Sequence, residues 1–271
     1  MPLEQQSKVL HVAILGVSGR MGKALVSAVE EAPGATLTGA AVSPGSRSLG
    51  QTIHGVTVTA ELTEALRGAQ VAIDFTLPTA TSANLKACLD ASCPLVLGTT
   101  GHDETQRREI EQAAQRIPIV MAPNMSLGVN LLLKLAELTA RTLDVDYDIE
   151  IFEAHHRNKK DAPSGTALAL GTAAAKGRGV SLKDVTEYSR HGAAVPRAKG
   201  AIGFSVFRGG DVVGDHTVTF AGIGERIELT HRASDRLSFA RGAVRAAQWL
   251  ASRSPGLYTM QDVLGLAERG A

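Results

Sequence analysis

The chain contains few cysteines and almost no net charge, and each shortage excludes a class of protein. The two cysteines, Cys88 and Cys93, lack the spacing and neighbours of a zinc or iron–sulfur site. Buried, reduced thiols are the simplest interpretation, and a disulfide is the alternative. Lys and Arg total 28 against 27 Asp and Glu, a formal net charge of +1. No bulk positive charge is therefore available to attract nucleic acid or anionic lipid.

Long apolar runs and aromatic residues are also scarce. No apolar run approaches the roughly 18 residues that a membrane-spanning helix needs, and the N-terminal MPLEQQSKVL is too polar for an export signal. We therefore expect a cytoplasmic protein that contacts no membrane. Aromatic residues make up 4% of the chain, beside 28 Gly and 10 Pro. An aliphatic core interrupted by many turns is typical of an α/β enzyme.

The first 125 residues alternate between strand and helix patterns. Helical stretches follow the first strand as far as Pro33 and lie near residues 79–91 and 103–115. Aliphatic runs predict strands at residues 9–15, 36–42, 71–76, 94–100 and 117–123. Such runs suit strands that are buried on both faces of a parallel sheet. The alternation predicts an α/β fold with a doubly wound, Rossmann-like parallel sheet.

The pattern changes after Asn124 and predicts a second domain. A helix over 126–143 and a strand over 147–156 are followed by a helix that begins near Ser164. Strand patterns at 201–208, 212–221 and 226–231 then precede a helix over 234–253. Short connections between the strands predict a mixed or antiparallel sheet in an α+β domain. We expect a dinucleotide-binding domain at 1–126 plus 237–271 and a second domain at 127–236.

The segment VAILGVSGRMG (12–22) places Gly16, Gly19 and Gly22 between a strand and a helix. Glycines there allow a tight turn and let the backbone approach a pyrophosphate at the helix N-terminus. Ser18 replaces the second glycine of the G-x-G-x-x-G string, so an ordinary tight connection is the alternative. The segments FTLP (75–78), GTTG (98–101) and APNMS (122–126) also follow apolar strands, where open α/β sheets bind ligands.

The sequence lacks the acidic residue that usually binds the 2′-hydroxyl of the cofactor's adenosine ribose. No Asp or Glu lies between Ala32 and Ala60 to hold a ribose 2′-hydroxyl, and Arg47 is the sole Lys or Arg there. Arg47 either meets the 2′-phosphate of NADPH or is solvated loop charge.

The segment EAHHRNKKDAPSGTA (153–167) carries the densest chemistry. Ser164 is a good N-cap, and the N–H groups of Gly165 and Thr166 would then point from a helix N-terminus toward an anion. A solvated basic loop is one alternative. A metal site is another, with His155, His156, Asp161 and His191 as ligands, although adjacent strand histidines point to opposite faces.

Together these segments resemble the 4-hydroxy-tetrahydrodipicolinate reductase (dihydrodipicolinate reductase) family. The resemblance runs from VAILGVSGRMG to GAVRAAQWL and includes GTTG, APNMSLGVN, EAHHRNKKDAPSGTA and GFSVFRGGDVVGDHTVTF. It implies that NADH or NADPH reduces a small cyclic imine-type dicarboxylate to tetrahydrodipicolinate, in lysine biosynthesis through the diaminopimelate pathway. It also implies a homotetramer, with 127–236 as the substrate-binding and oligomerisation domain, and no metal.

The resemblance implies roles for individual residues. His155 matches a proton donor or acceptor and Lys159 a proton donor, and the implied substrate-binding residues are His156, Ser164, Gly165 and Thr166. The implied cofactor-binding residues are Gly16, Val17, Ser18, Gly19, Arg20, Met21, Gly98, Thr99, Thr100, Ala122, Pro123, Asn124 and Met125. Family members often carry an acidic residue and an arginine after the second strand. This chain has Ser43 and Pro44 there, which leaves the choice between NADH and NADPH open.

Two other functions stay open at this stage. Another two-domain nicotinamide enzyme, such as an aspartate dehydrogenase type, would share the glycine turn without needing HHRNKKDAPSGT. A non-catalytic nucleotide sensor could lose His155 and Lys159 freely, yet both are present.

Overall fold

The structure is a computed structural model that describes residues 9–267. The chain divides into two compact units, unit 1 with residues 1–127 and 236–271 and unit 2 with Gly128–Asp235. Residues 1–8, where the sequence predicts no export signal, and 268–271, part of the expected nucleotide-binding domain, lie outside the described residues. None of the helices described combines the length and the apolar character that crossing a bilayer requires.

The elements alternate along the chain in the predicted manner. The strands are β1 Leu10–Leu15, β2 Ala35–Ala41, β3 Thr52–Ile53, β4 Val56–Thr59, β5 Val71–Asp74, β6 Leu95–Leu97, β7 Pro118–Met121, β8 Asp148–His155, β9 Thr186–Glu187, β10 Ile202–Arg208, β11 Gly214–Ala221, β12 Arg226–Ala233 and β13 Gly256–Tyr258. The α-helices are α1 Arg20–Glu31, α2 Leu62–Ala65, α3 Thr81–Asp90, α4 Glu104–Ala114, α5 Leu127–Thr142, α6 Gly165–Gly177, α7 Leu182–Val185, α8 Leu237–Leu250 and α9 Met260–Val263. A 3₁₀ turn, Pro78–Ala80, precedes α3.

Unit 1 contains an eight-stranded sheet in the order β13-β7-β6-β5-β1-β2-β4-β3. Every neighbouring pair is parallel except β3 with β4. The central β1 is buried on both faces, since Val12 and Ile14 enter one apolar cluster and Ala13 and Leu15 another. The predicted doubly wound parallel sheet is confirmed. The chain moves from β1 to β2 on one side and reaches β5 on the other, so the topological switch point lies between β1 and β5.

Sequence patterns missed the short elements of unit 1. β3 and β4 form a hairpin whose two turn residues, His54 and Gly55, both have positive φ. Beyond the predicted C-terminal helix, β13 pairs in parallel with β7, and α9 follows it. Strands of two or three residues are too short to show a periodic pattern.

Unit 2 is built on a mixed sheet in the order β12-β11-β8-β10-β9. β8 is parallel to β10 and antiparallel to β11, which confirms the predicted mixed sheet. One face supplies Ile149, Ile151 and Phe220 to the apolar cluster that also includes residues of α5 and α6. The opposite face leaves Phe152 and Phe207 each nearly half exposed.

Candidate active site

The turn after β1 has the backbone geometry of a phosphate-binding loop. Gly16 has a φ of +82°, and a Cβ there would lie 2.9 Å from Thr76 Cγ2. At Gly22 a Cβ would lie 2.2 Å from the Gly16 carbonyl oxygen, so only glycine lets α1 pack this closely on the turn. Gly19 is the N-cap residue of α1, and because it has no side chain it offers no capping hydrogen bond to the helix. The N–H groups of the first helical turn therefore have no acceptor within their own helix, which suits a pyrophosphate.

The other expected cofactor-binding residues lie at the carboxyl ends of β6 and β7. Gly98 packs against the Phe75 ring so closely that a Cβ would lie 2.2 Å from it. Thr99 is buried, and its hydroxyl donates to Asp74 Oδ1 at 3.1 Å, whereas Thr100 is exposed. The Met125 side chain is buried in the apolar core, so this residue could meet a cofactor only through its backbone. Val17 and Ala122 are buried in the same core.

Arg47 is exposed in the loop between β2 and β3, beside the glycine turn. Ser46 Oγ lies 3.5 Å from Ser18 Oγ, which brings this loop to the turn after β1. Arg20, also exposed, is the first residue of α1. Two arginines thus flank the turn, and the glycine cradle together with these cations fits a phosphorylated dinucleotide.

In unit 2 the carboxylate of Glu153 lies at the centre of the predicted chemical segment. Glu153 is fully buried on β8 and accepts two hydrogen bonds from Arg208, each 2.7 Å long. It also accepts the backbone N–H of Ser164 at 2.9 Å and lies 2.5 Å from His155 Nδ1. One carboxylate thereby joins β8, β10 and the start of α6.

His155 is oriented by this carboxylate. Burial lowers the pKa of His155, and the opposing effect of the Glu153 carboxylate is smaller. Because a carboxylate only accepts hydrogen bonds, Nδ1 donates its N–H to Glu153. The lowered pKa favours the neutral ring, whose Nε2 is able to accept a proton. A Cβ at Gly214 would lie 3.0 Å from Nε2, so the glycine leaves room beside that atom.

The lysines of the segment differ in their surroundings. Lys159 Nζ lies 2.9 Å from Asp161 Oδ1, and its side chain is 23% exposed. The backbone N–H of Lys159 donates to the His156 carbonyl at 3.1 Å, and that of His156 donates to the Val212 carbonyl at 2.7 Å. Lys160 is exposed. Lys159 is thus held close to the histidines by its backbone, whereas Lys160 extends into solvent.

The N-terminus of α6 begins at the predicted position. The Ser164 hydroxyl accepts the Ala167 N–H at 3.1 Å and caps the helix, and Ser164 is itself buried. Its hydroxyl is therefore occupied by the helix, and its substrate contact stays a prediction. Gly165 is exposed, and a Cβ there would meet open space. This helix end is open to an anion.

Sequence analysis missed a second histidine of this site. His216 on β11 is 3% exposed, and its ring centroid lies 5.1 Å from that of His155. Its Nε2 lies 3.2 Å from Ser164 Oγ, whereas its Nδ1 is buried with no hydrogen-bond partner. Burial, aided by the nearby His155, lowers the pKa of His216 to about 4.

Acidification is expected to destabilise the fold through His216. Its folded pKa of about 4 lies below the ordinary 6.5, so the unfolded chain binds more protons between these values and stability falls as pH falls. The loss between pH 7 and pH 5 is about 2 kcal/mol. Urea unfolding at both pH values measures it. His216→Gln should reduce the pH dependence of the free energy of unfolding, whereas His191→Gln, at an exposed position, should not. The same pH dependence in wild type and both variants would contradict this role of His216.

The candidate metal ligands His155, His156, Asp161 and His191 do not form a metal site. Among residues 9–267, no three His, Cys, Asp or Glu side chains come together as ligands would. His191 is exposed in the segment before β10. Cys88 and Cys93 are both buried free thiols.

Comparison with known proteins agrees with this geometry. Residues 10–125 match the family model "Dihydrodipicolinate reductase, N-terminus", and residues 128–264 match "Dihydrodipicolinate reductase, C-terminus". The chain is 55% identical over 264 residues to the 4-hydroxy-tetrahydrodipicolinate reductase of Thiobacillus denitrificans, which covers 95% of this chain and 99% of that protein. The Bordetella parapertussis protein of the same name is 53% identical over 268 residues, covering 96% and 99%.

Solved structures share the fold. A dipicolinate-bound dihydrodipicolinate reductase from Paenisporosarcina sp. TG-14 superposes with a TM-score of 0.76 at 24% identity, covering 94% of this chain and 98% of that one. GenD2 from gentamicin A biosynthesis, in complex with NAD, gives a TM-score of 0.60 at 16% identity, covering 98% and 93%. From the two family models and the close relatives, the chain belongs to the dihydrodipicolinate reductase family.

Proposed function

We propose that the chain is an oxidoreductase that reduces 4-hydroxy-tetrahydrodipicolinate (dihydrodipicolinate) to tetrahydrodipicolinate with NADPH or NADH. The reaction belongs to lysine biosynthesis through the diaminopimelate pathway. The observation that carries this proposal is the site around Glu153, whose carboxylate contacts both His155 and the Ser164 cap of α6. The backbone of Lys159 is hydrogen-bonded to the neighbouring His156. Relatives that are more than half identical over 95% or more of the chain bear the name of this reductase.

The cofactor is assigned to unit 1. The Gly16–Met21 turn would hold its pyrophosphate, and Gly98–Thr100 with Ala122–Met125 would hold its nicotinamide half. When bound, the reduced nicotinamide supplies a hydride. We assign the dinucleotide-binding domain to 1–126 plus 237–271 and substrate binding to 127–236.

The substrate is a dianion, and unit 2 offers donors for it. The N–H groups of Gly165 and Thr166 would donate hydrogen bonds to one carboxylate at the helix end. His156 and Lys159 add donors nearby, and the charge of Lys159 attracts the dianion.

Lys159 is assigned as the acid. Hydride addition to an electron-poor ring leaves negative charge, which a positioned acid must neutralise. A lysine ammonium both binds the carboxylates and gives up the proton. His155, oriented by Glu153, accepts or relays the proton through Nε2.

The test is a coupled assay on the purified protein. The product of the preceding synthase is supplied with NADPH or with NADH, and the loss of absorbance at the dihydronicotinamide band is followed. Dipicolinate should inhibit competitively against the imine and not against the nucleotide. Nucleotide oxidation only with amino or oxo acids would favour an aspartate dehydrogenase type. Nucleotide binding with no turnover would favour a sensor.

The nucleotide preference is expected to depend on Arg47. Its guanidinium can bind a 2′-phosphate as a bidentate donor, and no carboxylate lies near it in sequence to hold a ribose diol. We expect NADPH to serve at least as well as NADH. Arg47→Ala should raise KM for NADPH and leave KM for NADH unchanged. If Arg47→Ala changes KM for both nucleotides equally, Arg47 does not bind the 2′-phosphate and is only a surface charge.

A homotetramer is proposed for the assembly. The open face of the unit 2 sheet exposes Phe152 and Phe207 beside Thr217 and Thr230, which hydrogen-bond to each other at 2.9 Å. A sheet face with two half-exposed phenylalanines suits a second copy of the chain. The cytoplasmic location stays a prediction.

Phe152→Asp should dissociate the assembly, because it places a charge in the middle of that face. Light scattering after size exclusion gives the mass directly. Ile223→Asp, at the exposed turn between β11 and β12, is the matched control and should keep the wild-type mass. Identical masses for Phe152→Asp and wild type would place the interface elsewhere.

A further inference from the structure

A buried carboxylate lies beneath the proposed cofactor edge of unit 1. Asp74, the last residue of β5, is 0% exposed. Its Oδ1 accepts the Thr76 backbone N–H at 2.8 Å and the Thr99 hydroxyl at 3.1 Å. Its Oδ2 accepts Asn84 Nδ2 at 2.8 Å. All of these partners are neutral, and within residues 9–267 no lysine or arginine pairs with Asp74.

These hydrogen bonds connect the loops that would hold the nucleotide. Thr76 belongs to the loop after β5, Thr99 to the loop after β6, and Asn84 to α3. Asn84 Nδ2 also donates to Thr76 Oγ1 at 3.2 Å. The Thr76 methyl group in turn lies against Gly16 in the turn after β1. One acidic side chain therefore connects the loops after β5 and β6 with α3, and Thr76 extends this set of contacts to the turn after β1.

A fully buried carboxyl group is costly to the fold unless hydrogen bonds satisfy its oxygens. Such a group, placed at a ligand-binding edge, indicates a role in holding that edge in shape. Gly98 also packs closely against the Phe75 ring, so the loops after β5 and β6 are in direct contact.

We propose that Asp74, with Asn84 as its partner, is a positioning residue for the nicotinamide cofactor. It holds the loops after β5 and β6 in the conformation that binds the nucleotide. The inference deepens the proposed function and rests on its assignment of the cofactor to unit 1.

The hydrogen bond from Asn84 to Asp74 can be tested by exchanging its donor and its acceptor between the two positions. In Asn84→Asp, two carboxylates face each other where the 2.8 Å hydrogen bond now lies. Adding Asp74→Asn restores one donor and one acceptor at that contact and keeps Oδ1 as the acceptor for Thr76 and Thr99. Both variants nearly preserve side-chain volume. Asp90→Asn, an exposed carboxylate on α3 paired with Lys86, is the matched control.

NADPH affinity is measured by fluorescence titration, without substrate. Asn84→Asp should weaken NADPH binding at least tenfold. The double variant should bind NADPH with an affinity within threefold of the wild type, and Asp90→Asn should bind it like the wild type. In steady-state assays KM for NADPH should rise in Asn84→Asp while KM for the dicarboxylate stays within twofold. If Asn84 were needed only for stability, Asn84→Asp would lower the melting temperature without raising KM for NADPH selectively over KM for the dicarboxylate.

The proposal is overturned if Asn84→Asp folds and binds NADPH like wild type, if Asp74→Asn does not rescue it, or if both KM values rise equally. Should Asn84→Asp fail to fold, Thr99→Val removes one donor to Asp74 at nearly constant volume. It should weaken NADPH binding about threefold, and unchanged affinity would overturn the proposal. A wild-type protein that binds NADPH but does not reduce the imine would contradict the proposed function and leave this test intact.

Discussion

Replacing Lys159 by alanine is expected to lower kcat on the imine by a factor of about 10² or more, the usual contribution of a positioned acid. The ammonium group lies 2.9 Å from Asp161 and is mostly shielded from solvent. Its loss removes both a proton donor and a charge that binds the dianion, so KM for the dicarboxylate should rise as well. Steady-state kinetics with saturating nucleotide measures both constants.

Lys160→Ala is the matched control, because the neighbouring lysine is exposed and should be replaceable at little cost. NADPH affinity should not change in either variant, since both lysines belong to unit 2. A Lys159→Ala enzyme with wild-type kcat would remove the assigned acid and favour a loop that only binds anions.

Glu153→Gln is expected to reduce both activity and stability. The amide leaves the Arg208 guanidinium, whose side chain is only 18% exposed, without its bidentate carboxylate. Breaking a buried ion pair by removing one partner costs about 3–5 kcal/mol. His155 also loses the carboxylate acceptor that orients its ring. By comparison with other orienting carboxylates, kcat should fall by about two orders of magnitude or more.

Urea unfolding and steady-state kinetics separate these two effects. Glu31→Gln is the control, since it breaks an ion pair with Arg241 in which both side chains are at least half exposed; exposed pairs contribute about 0–1 kcal/mol. Wild-type kcat in a folded Glu153→Gln enzyme would show that His155 needs no orientation by this carboxylate.

The fold class and the local features of the site followed from the sequence because they depend on neighbouring residues. Buried parallel strands show as aliphatic runs, and β1, β5 and β7 begin and end within three residues of the predicted bounds. The glycine turn after β1 and the Ser164 cap of α6 are likewise determined by residues a few positions apart.

The tertiary structure decided which distant side chains share a site. Arg208 reaches Glu153 because β10 pairs with β8 in a register that sets Arg208 opposite His155. His216 arrives from β11, and Asp74 meets Thr99 only where β5 and β6 lie side by side. Such contacts join residues 25 to 61 positions apart, and strand register is set by whole-sheet packing rather than by local pattern. The chemical segments were therefore visible in the sequence, whereas the buried charges and histidines that orient them required the fold.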